Sequence, residues 1–140
     1  MNMTIGAGWR TLLGFDYGTR RVGVAAGQTV TSSASPLTVL NNPASVDFWQ
    51  QLDKLVAEWR PDGFIVGMPL HADGSVGRIA QAAAAFAGEL TARYGLQVIS
   101  VDERLTSWEA DQLARDLPAA RRDAVAASLI LMTYLEGRSA

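Results

Sequence analysis

The chain reads as an α/β domain on one mixed sheet of five strands, an antiparallel meander plus parallel strands, with helices on both faces. Three observations predict this. Short apolar runs separated by turn residues crowd the stretch before residue 41. Beyond it, apolar runs alternate with stretches in which hydrophobic residues recur every three or four positions. Each late strand is also separated from the next by a helix, the crossover that parallel strands require.

Element by element, Thr11 to Phe15 is an apolar strand and Arg21 to Ala26 a second, with the Asp16–Arg20 turn closing a hairpin. Ser35 to Leu40 makes a third strand, and Pro36 places it at an edge, because proline donates nothing to a ladder. Phe48, Leu52, Leu55, Val56 and Trp59 share one face of a helix that Pro61 ends. Gly63 to Met68 is a short buried strand. Ile79, Ala83, Phe86 and Leu90 mark a second helix, stopped at Gly95. Gln97 to Val101 is the fifth strand. Thr106-Ser107-Trp108-Glu109 is a capping box opening a third helix, with Pro118 after it, and Arg122 to Leu135 is the last helix.

Length and composition narrow the function. At 140 residues the chain is expected to be a single domain, 1–140, and 49% hydrophobic residues suffice for a substantial core. No cysteine is present, which excludes disulfides and thiolate–zinc sites and fits a reducing cytoplasm. Met1 to Arg10 lacks the pattern of a signal peptide, and no apolar run is long enough to span a bilayer. The formal net charge of −2 argues against a protein that coats duplexes through salt-driven contacts. It does not argue against a nuclease whose acids are neutralised locally by metal.

Chemistry concentrates on three acids at the edges of elements. Asp16 closes an apolar strand, Glu103 follows another, and Asp123 opens a helical pattern. Ligands of open α/β sheets gather beyond the carboxyl ends of the parallel strands, so Asp16, the Met68–Gly77 loop and Glu103 can share one rim. Carboxylates collected from distant parts of a chain suit a hard cation such as Mg²⁺ or Mn²⁺ and phosphoryl chemistry. Each acid also has a plainer explanation. Asp16 fits an Asx-turn with Gly18 at positive φ. Asp102 and Glu103 could be a solvated strand end paired with Arg104. Asp123 in a first helical turn would gain roughly 0.3–1 kcal/mol from the dipole. Adjacent acids in a strand point to opposite faces, so no more than one of Asp102 and Glu103 is expected to be a ligand. Gly14 and Gly23 weaken strands, which a close approach by backbone or ligand would explain. Ala126 and Ala127 would let the last helix pack closely enough to bring Asp123 to the rim. His71, the one histidine, could relay protons from its loop, although loop histidines are more often merely polar. Trp59 belongs to the core, and Trp9 could stack a base.

Taken together, these segments resemble the YqgF/RuvX family. The resemblance runs from about Leu12 to Leu135. It rests on Gly14-Phe15-Asp16-Tyr17-Gly18 with Arg20-Arg21-Val22-Gly23-Val24-Ala25, on Val66-Gly67-Met68-Pro69-Leu70 with Asp73-Gly74-Ser75, on Val101-Asp102-Glu103-Arg104-Leu105-Thr106, and on Asp123-Ala124-Val125-Ala126-Ala127. Members are described as Holliday-junction resolvases or as nucleases maturing the 5′ end of pre-16S ribosomal RNA. The resemblance implies an RNase H-like fold and a metal-dependent endonuclease. Asp16, Glu103 and Asp123 would be its catalytic and metal-holding acids, and Mg²⁺ or Mn²⁺ its cofactor. Arg20, Arg78, Arg104 and Arg122 would contact substrate phosphates. The implied partners are nucleic acid, as pre-rRNA of the small-subunit precursor or branched DNA, with no membrane, in the cytoplasm, as monomer or homodimer. Two departures stand out. The segment before the last acid, Asp116 to Arg122, is short and lacks lysine, and the first ten residues extend past the usual start and are expected to be disordered. Two other classes compete: a nucleic-acid-binding regulator that kept the fold but cleaves poorly, and a phosphate-cradling ATP-binding relative, for which the chain is short.

Overall fold

Two strands separated by a tight turn open the fold: β1 (Thr11–Tyr17) pairs antiparallel with β2 (Arg21–Gln28), which pairs antiparallel with β3 (Ser33–Asn41). The computed structural model describes residues 8–69, 77–103 and 117–139. Helix α1 (Val46–Trp59) then leads to β4 (Gly63–Met68), and α2 (Arg78–Tyr94) to β5 (Val98–Asp102). β4 runs parallel to β1 on its other side, and β5 runs parallel to β4. The strand order is therefore β3-β2-β1-β4-β5, the predicted meander joined to parallel strands. Pro36 lies on the edge strand, opposite Ala25, where the β2–β3 register shifts. Residues 106–116, where the third helix is expected, and the residues His71 and Arg104 lie outside the described residues, as do 1–7.

Alternation along the strands assigns the two faces. Leu13, Phe15, Val22, Val24, Phe64 and Val66 point to one side and bury Phe48 and Leu52 of α1 with Ala83, Phe86 and Leu90 of α2. Phe15 meets Phe86 edge-on at 5.4 Å between centroids, and Phe64 at 5.7 Å. Each such buried ring contributes roughly 1.5–3 kcal/mol by leaving water. The opposite face, with Leu12, Ala25, Ile65 and Val101, is covered by the last described helix, α3 (Ala119–Ser139), through Ala127, Ile130, Leu131 and Leu135. Their spacing of three, one and four is one stripe of a helix.

Local chemistry sets the boundaries. Ser45 caps α1, its Oγ accepting from Phe48 N at 3.2 Å, and Arg60 ends the helix in the left-handed region at φ 47°, ahead of Pro61. Gly95, at φ 68°, ends α2 as its position after the apolar stripe predicts. Trp9 and Arg10 are held to the sheet. The half-buried Trp9 ring lies against Gly63 and packs on the cluster under α3. Arg10 N donates to Asp62 Oδ2 at 2.7 Å.

Two expectations are corrected. The last helix starts at Ala119 rather than Arg122, because Arg122 N donates to Pro118 O at 2.8 Å, and proline is tolerated where a helix begins. Its first turn therefore contains no acid, and Asp123 lies in the second turn, where the dipole explains little of its placement. Gly18 is not at positive φ, a conformation that among the described glycines belongs to Gly8 and Gly95. What Gly18 provides is room in the turn, since a Cβ there would come within 2.8 Å of the Arg21 carbonyl oxygen.

Candidate active site

A row of glycines decides what lies on either side of Asp16. On β1, Leu12, Gly14 and Asp16 face α3. Directly across from Asp16 on β2 is Gly23. On β4, Phe15 pairs with Val66, so the next step sets Gly67 beside Asp16, and Gly67 in turn pairs with Val101 of β5. Asp16 thus stands between two residues without side chains, all on the face that α3 covers.

Each gap is filled by part of the predicted site. A Cβ on Gly23 would overlap the Asp123 carbonyl, so the backbone of α3 rests directly on the sheet there. A Cβ on Gly67 would stand 2.5 Å from Glu103 Oε1 and 3.0 Å from its Cγ. The Glu103 carboxylate therefore lies over Gly67, with Oε1 buried. Gly23 and Gly67 each lie one strand step, about 4.8 Å, from Asp16, so the Asp123 backbone and the Glu103 carboxylate lie over the positions on either side of it. Val101 and Glu103 share a face and Asp102 takes the other, which makes Glu103 the acid of that pair that turns to the site. Gly14 does the same work deeper in the sheet, where a Cβ would overlap Leu131. Of the two small residues expected to permit this approach, Ala127 is fully buried and Ala126 only half-buried; Ala124, which the sequence did not single out, is buried as well.

An open cavity of about 280 Å³ adjoins the row, lined by the β1–β2 turn from Asp16 to Arg21 together with Ile79 and Asp123. Arg20 is on this wall and exposed. Arg21, read from the sequence only as the start of a strand, turns out to hold Asp123, its Nε donating to Oδ2 at 2.7 Å. The signal for it was the same alternation: Arg21 shares the face of Gly23. Ile79, read as a core position of its helix, is instead 43% exposed at the cavity edge. Tyr17 also borders the cavity, and burial, reinforced by the charge of Glu89, pushes its phenol above its usual range. It stays protonated at neutral pH and can donate. Arg78 is exposed at the start of α2 but does not line the cavity, and Arg122 spends its Nη2 on the Leu117 carbonyl at 3.1 Å.

The donor set fits a hard divalent cation by its chemistry: carboxylate oxygens on one face, one of them buried. Among the described residues, no three acidic or histidine side chains are gathered closely enough to hold one ion, and Asp123 is turned to Arg21. Among the described residues, no helix is long and apolar enough to cross a membrane.

Comparison with known proteins agrees with this architecture. The family model described as "RuvX: Holliday junction resolvase" matches residues 10–137. A protein of Shewanella denitrificans named "Putative pre-16S rRNA nuclease" is 43% identical over 92% of this chain and 96% of its own length. One of the same name from Azotobacter vinelandii is 45% identical over 96% and 99%. Among solved structures, Thermus thermophilus RuvC in complex with a Holliday junction substrate superimposes with a TM-score of 0.56 at 16% identity, over 91% of this chain and 96% of that one. At that identity the likeness concerns the fold alone, an RNase H-like mixed sheet. A match that runs from the strand before Asp16 to the end of the helix carrying Asp123 spans every element that builds the glycine row, and the chain belongs to the RuvX family.

Proposed function

We propose that this chain is a metal-dependent endonuclease of structured nucleic acid, with Asp16, Glu103 and Asp123 as its catalytic acids and Mg²⁺ or Mn²⁺ as its cofactor. The observation that carries the reading is the Gly23–Asp16–Gly67 row, whose two glycines leave room beside Asp16 for the Asp123 backbone and for the Glu103 carboxylate together with Ile130. A divalent ion held by these carboxylates would supply an activated water and charge stabilisation at the leaving oxygen.

The chain's own residues do the rest. Asp16 anchors the centre from a strand whose neighbours on both sides are paired, so its position varies little. Burial of Glu103 against Gly67 and Ile130 keeps bulk water from one side of the site. Arg20 offers a flanking phosphate bidentate donors from the turn, and Tyr17 offers a neutral hydroxyl beside it. Arg78 and Arg104 would extend this contact along the backbone. Arg122 is the weakest of the four proposed contacts, since its guanidinium is engaged at its own helix start.

The favoured substrate is a precursor of 16S ribosomal RNA, processed at its 5′ end in the cytoplasm, because relatives at 42–45% identity carry that name. A four-way DNA junction is the second reading, favoured by the family's own description. The test is side-by-side incubation of purified protein with a pre-16S fragment and a four-way junction at matched salt, with Mg²⁺ or with chelator. Cleavage of the RNA that needs Mg²⁺ and disappears in Asp16→Asn, while that variant still binds, is the expected result. Cleavage unaffected by Asp16→Asn would end the assignment of the site.

A further inference from the structure

Arg21 stands where a cation is needed. Its Nε is 2.7 Å from Asp123 Oδ2, and the two side chains remain 42% and 24% exposed. The contact joins residues 102 apart in sequence. It is not incidental packing: alternation points Arg21 to the α3 face, and the bare Gly23 lets the Asp123 backbone settle on the sheet within its reach. Among the described residues this is the one ion pair made by either side chain, and both border the cavity beside Asp16.

We infer that Arg21 is the resident counter-ion of the acidic site, occupying Asp123 Oδ2 in competition with the divalent cation. The inference rests on the metal-dependent reading above and adds the regulation of that site. Two consequences follow from elementary electrostatics. While the guanidinium holds Asp123, mutual repulsion of the acids is relieved without metal, so the metal-free chain need not splay α3 from the sheet. And because one cation must yield to the other, Arg21 weakens metal binding: the ion has to displace a charge-assisted hydrogen bond before it gains that oxygen. Among the described residues the guanidinium is held at Nε alone, and it borders the open cavity, so it can swing away.

The test is calorimetric titration of the full chain with Mn²⁺ at fixed ionic strength, without nucleic acid, on wild type, Arg21→Gln, Arg20→Gln and Asp123→Asn. An exposed pair contributes little to folding, so Arg21→Gln should fold; Arg21→Met carries the same measurement should it not. Arg21→Gln is expected to bind Mn²⁺ about tenfold more tightly, a difference of about 1.4 kcal/mol. Arg20→Gln removes the same charge from the same cavity without touching Asp123, and should change affinity much less. In the double variant Arg21→Gln/Asp123→Asn the gain should vanish relative to Asp123→Asn. Unchanged or weaker binding in Arg21→Gln overturns the inference, as does an equal gain in Arg20→Gln or a gain that survives loss of Asp123. Failure of the underlying reading looks different: neither wild type nor Arg21→Gln takes up Mn²⁺, and the counter-ion role falls with it.

Discussion

Replacing Gly23 by alanine puts the glycine row to its sharpest test. The new Cβ would overlap the Asp123 carbonyl and stand 2.9 Å from Ala124 N. Both obstacles are backbone, so no side chain can rotate away. Restoring a carbon contact of about 3.5 Å requires α3 to lift from the sheet by roughly 1 Å or more at this point. That lift is transmitted along a rigid helix to Ala127 and Leu131, which are fully buried. Overpacking of this kind costs about 1–3 kcal/mol, and the upper end applies because a helix, not a rotamer, must move. At roughly 3 °C per kcal/mol for a chain of this size, the melting temperature should fall by about 6–9 °C. Gly27→Ala is the matched control. It lies on the same strand and face, but its Cβ would meet Leu131 Cδ1 at 3.3 Å, a side-chain end that can give by a few tenths of an ångström. Thermal melts of the two variants, with RNA cleavage measured beside them, should show Gly23→Ala far less stable and inactive and Gly27→Ala close to wild type. Equal stability of the two would refute the claim that the Asp123 backbone rests on Gly23.

Gly67→Ala should separate site from scaffold: its Cβ meets the flexible ends of Glu103 and Ile130, so stability should fall by no more than about 1–2 kcal/mol while displacement of the Glu103 carboxylate abolishes cleavage. Asp53→Asn probes the other face. Hydrogen bonds from Arg93, and then from Tyr94, hold the Asp53 carboxyl down at about 2. A depressed folded-state value stabilises above the unfolded value near 4 and is lost as pH falls toward 2. The wild type should therefore melt slightly higher than Asp53→Asn at pH 7, and the gap should close between pH 4 and pH 2. Arg20→Ala should weaken binding of a single-stranded substrate and flatten the slope of log affinity against log salt by about 0.7, while leaving the melting temperature unchanged.

Element order, the antiparallel meander and the parallel crossovers were legible in the residues themselves. Apolar period and turn chemistry act locally, and strands joined by helices have few ways to pair. Gly14 and Gly23 were legible as places of close approach, because a glycine inside a strand weakens it without some such return. Other features depended on the tertiary structure. What approaches Gly23 is the Asp123 backbone, and what fills the space over Gly67 is Glu103 with Ile130; partners so distant in sequence are chosen by register between strands and by helix placement, which no local window contains. The start of α3 at Ala119 was settled by a backbone bond to Pro118, whereas the hydrophobic pattern begins later. The pairing of Arg21 with Asp123 across 102 residues arose because sheet alternation and helix placement brought two charges together. A chain's periodicity fixes which face a side chain takes; only packing one element on another fixes what it meets there.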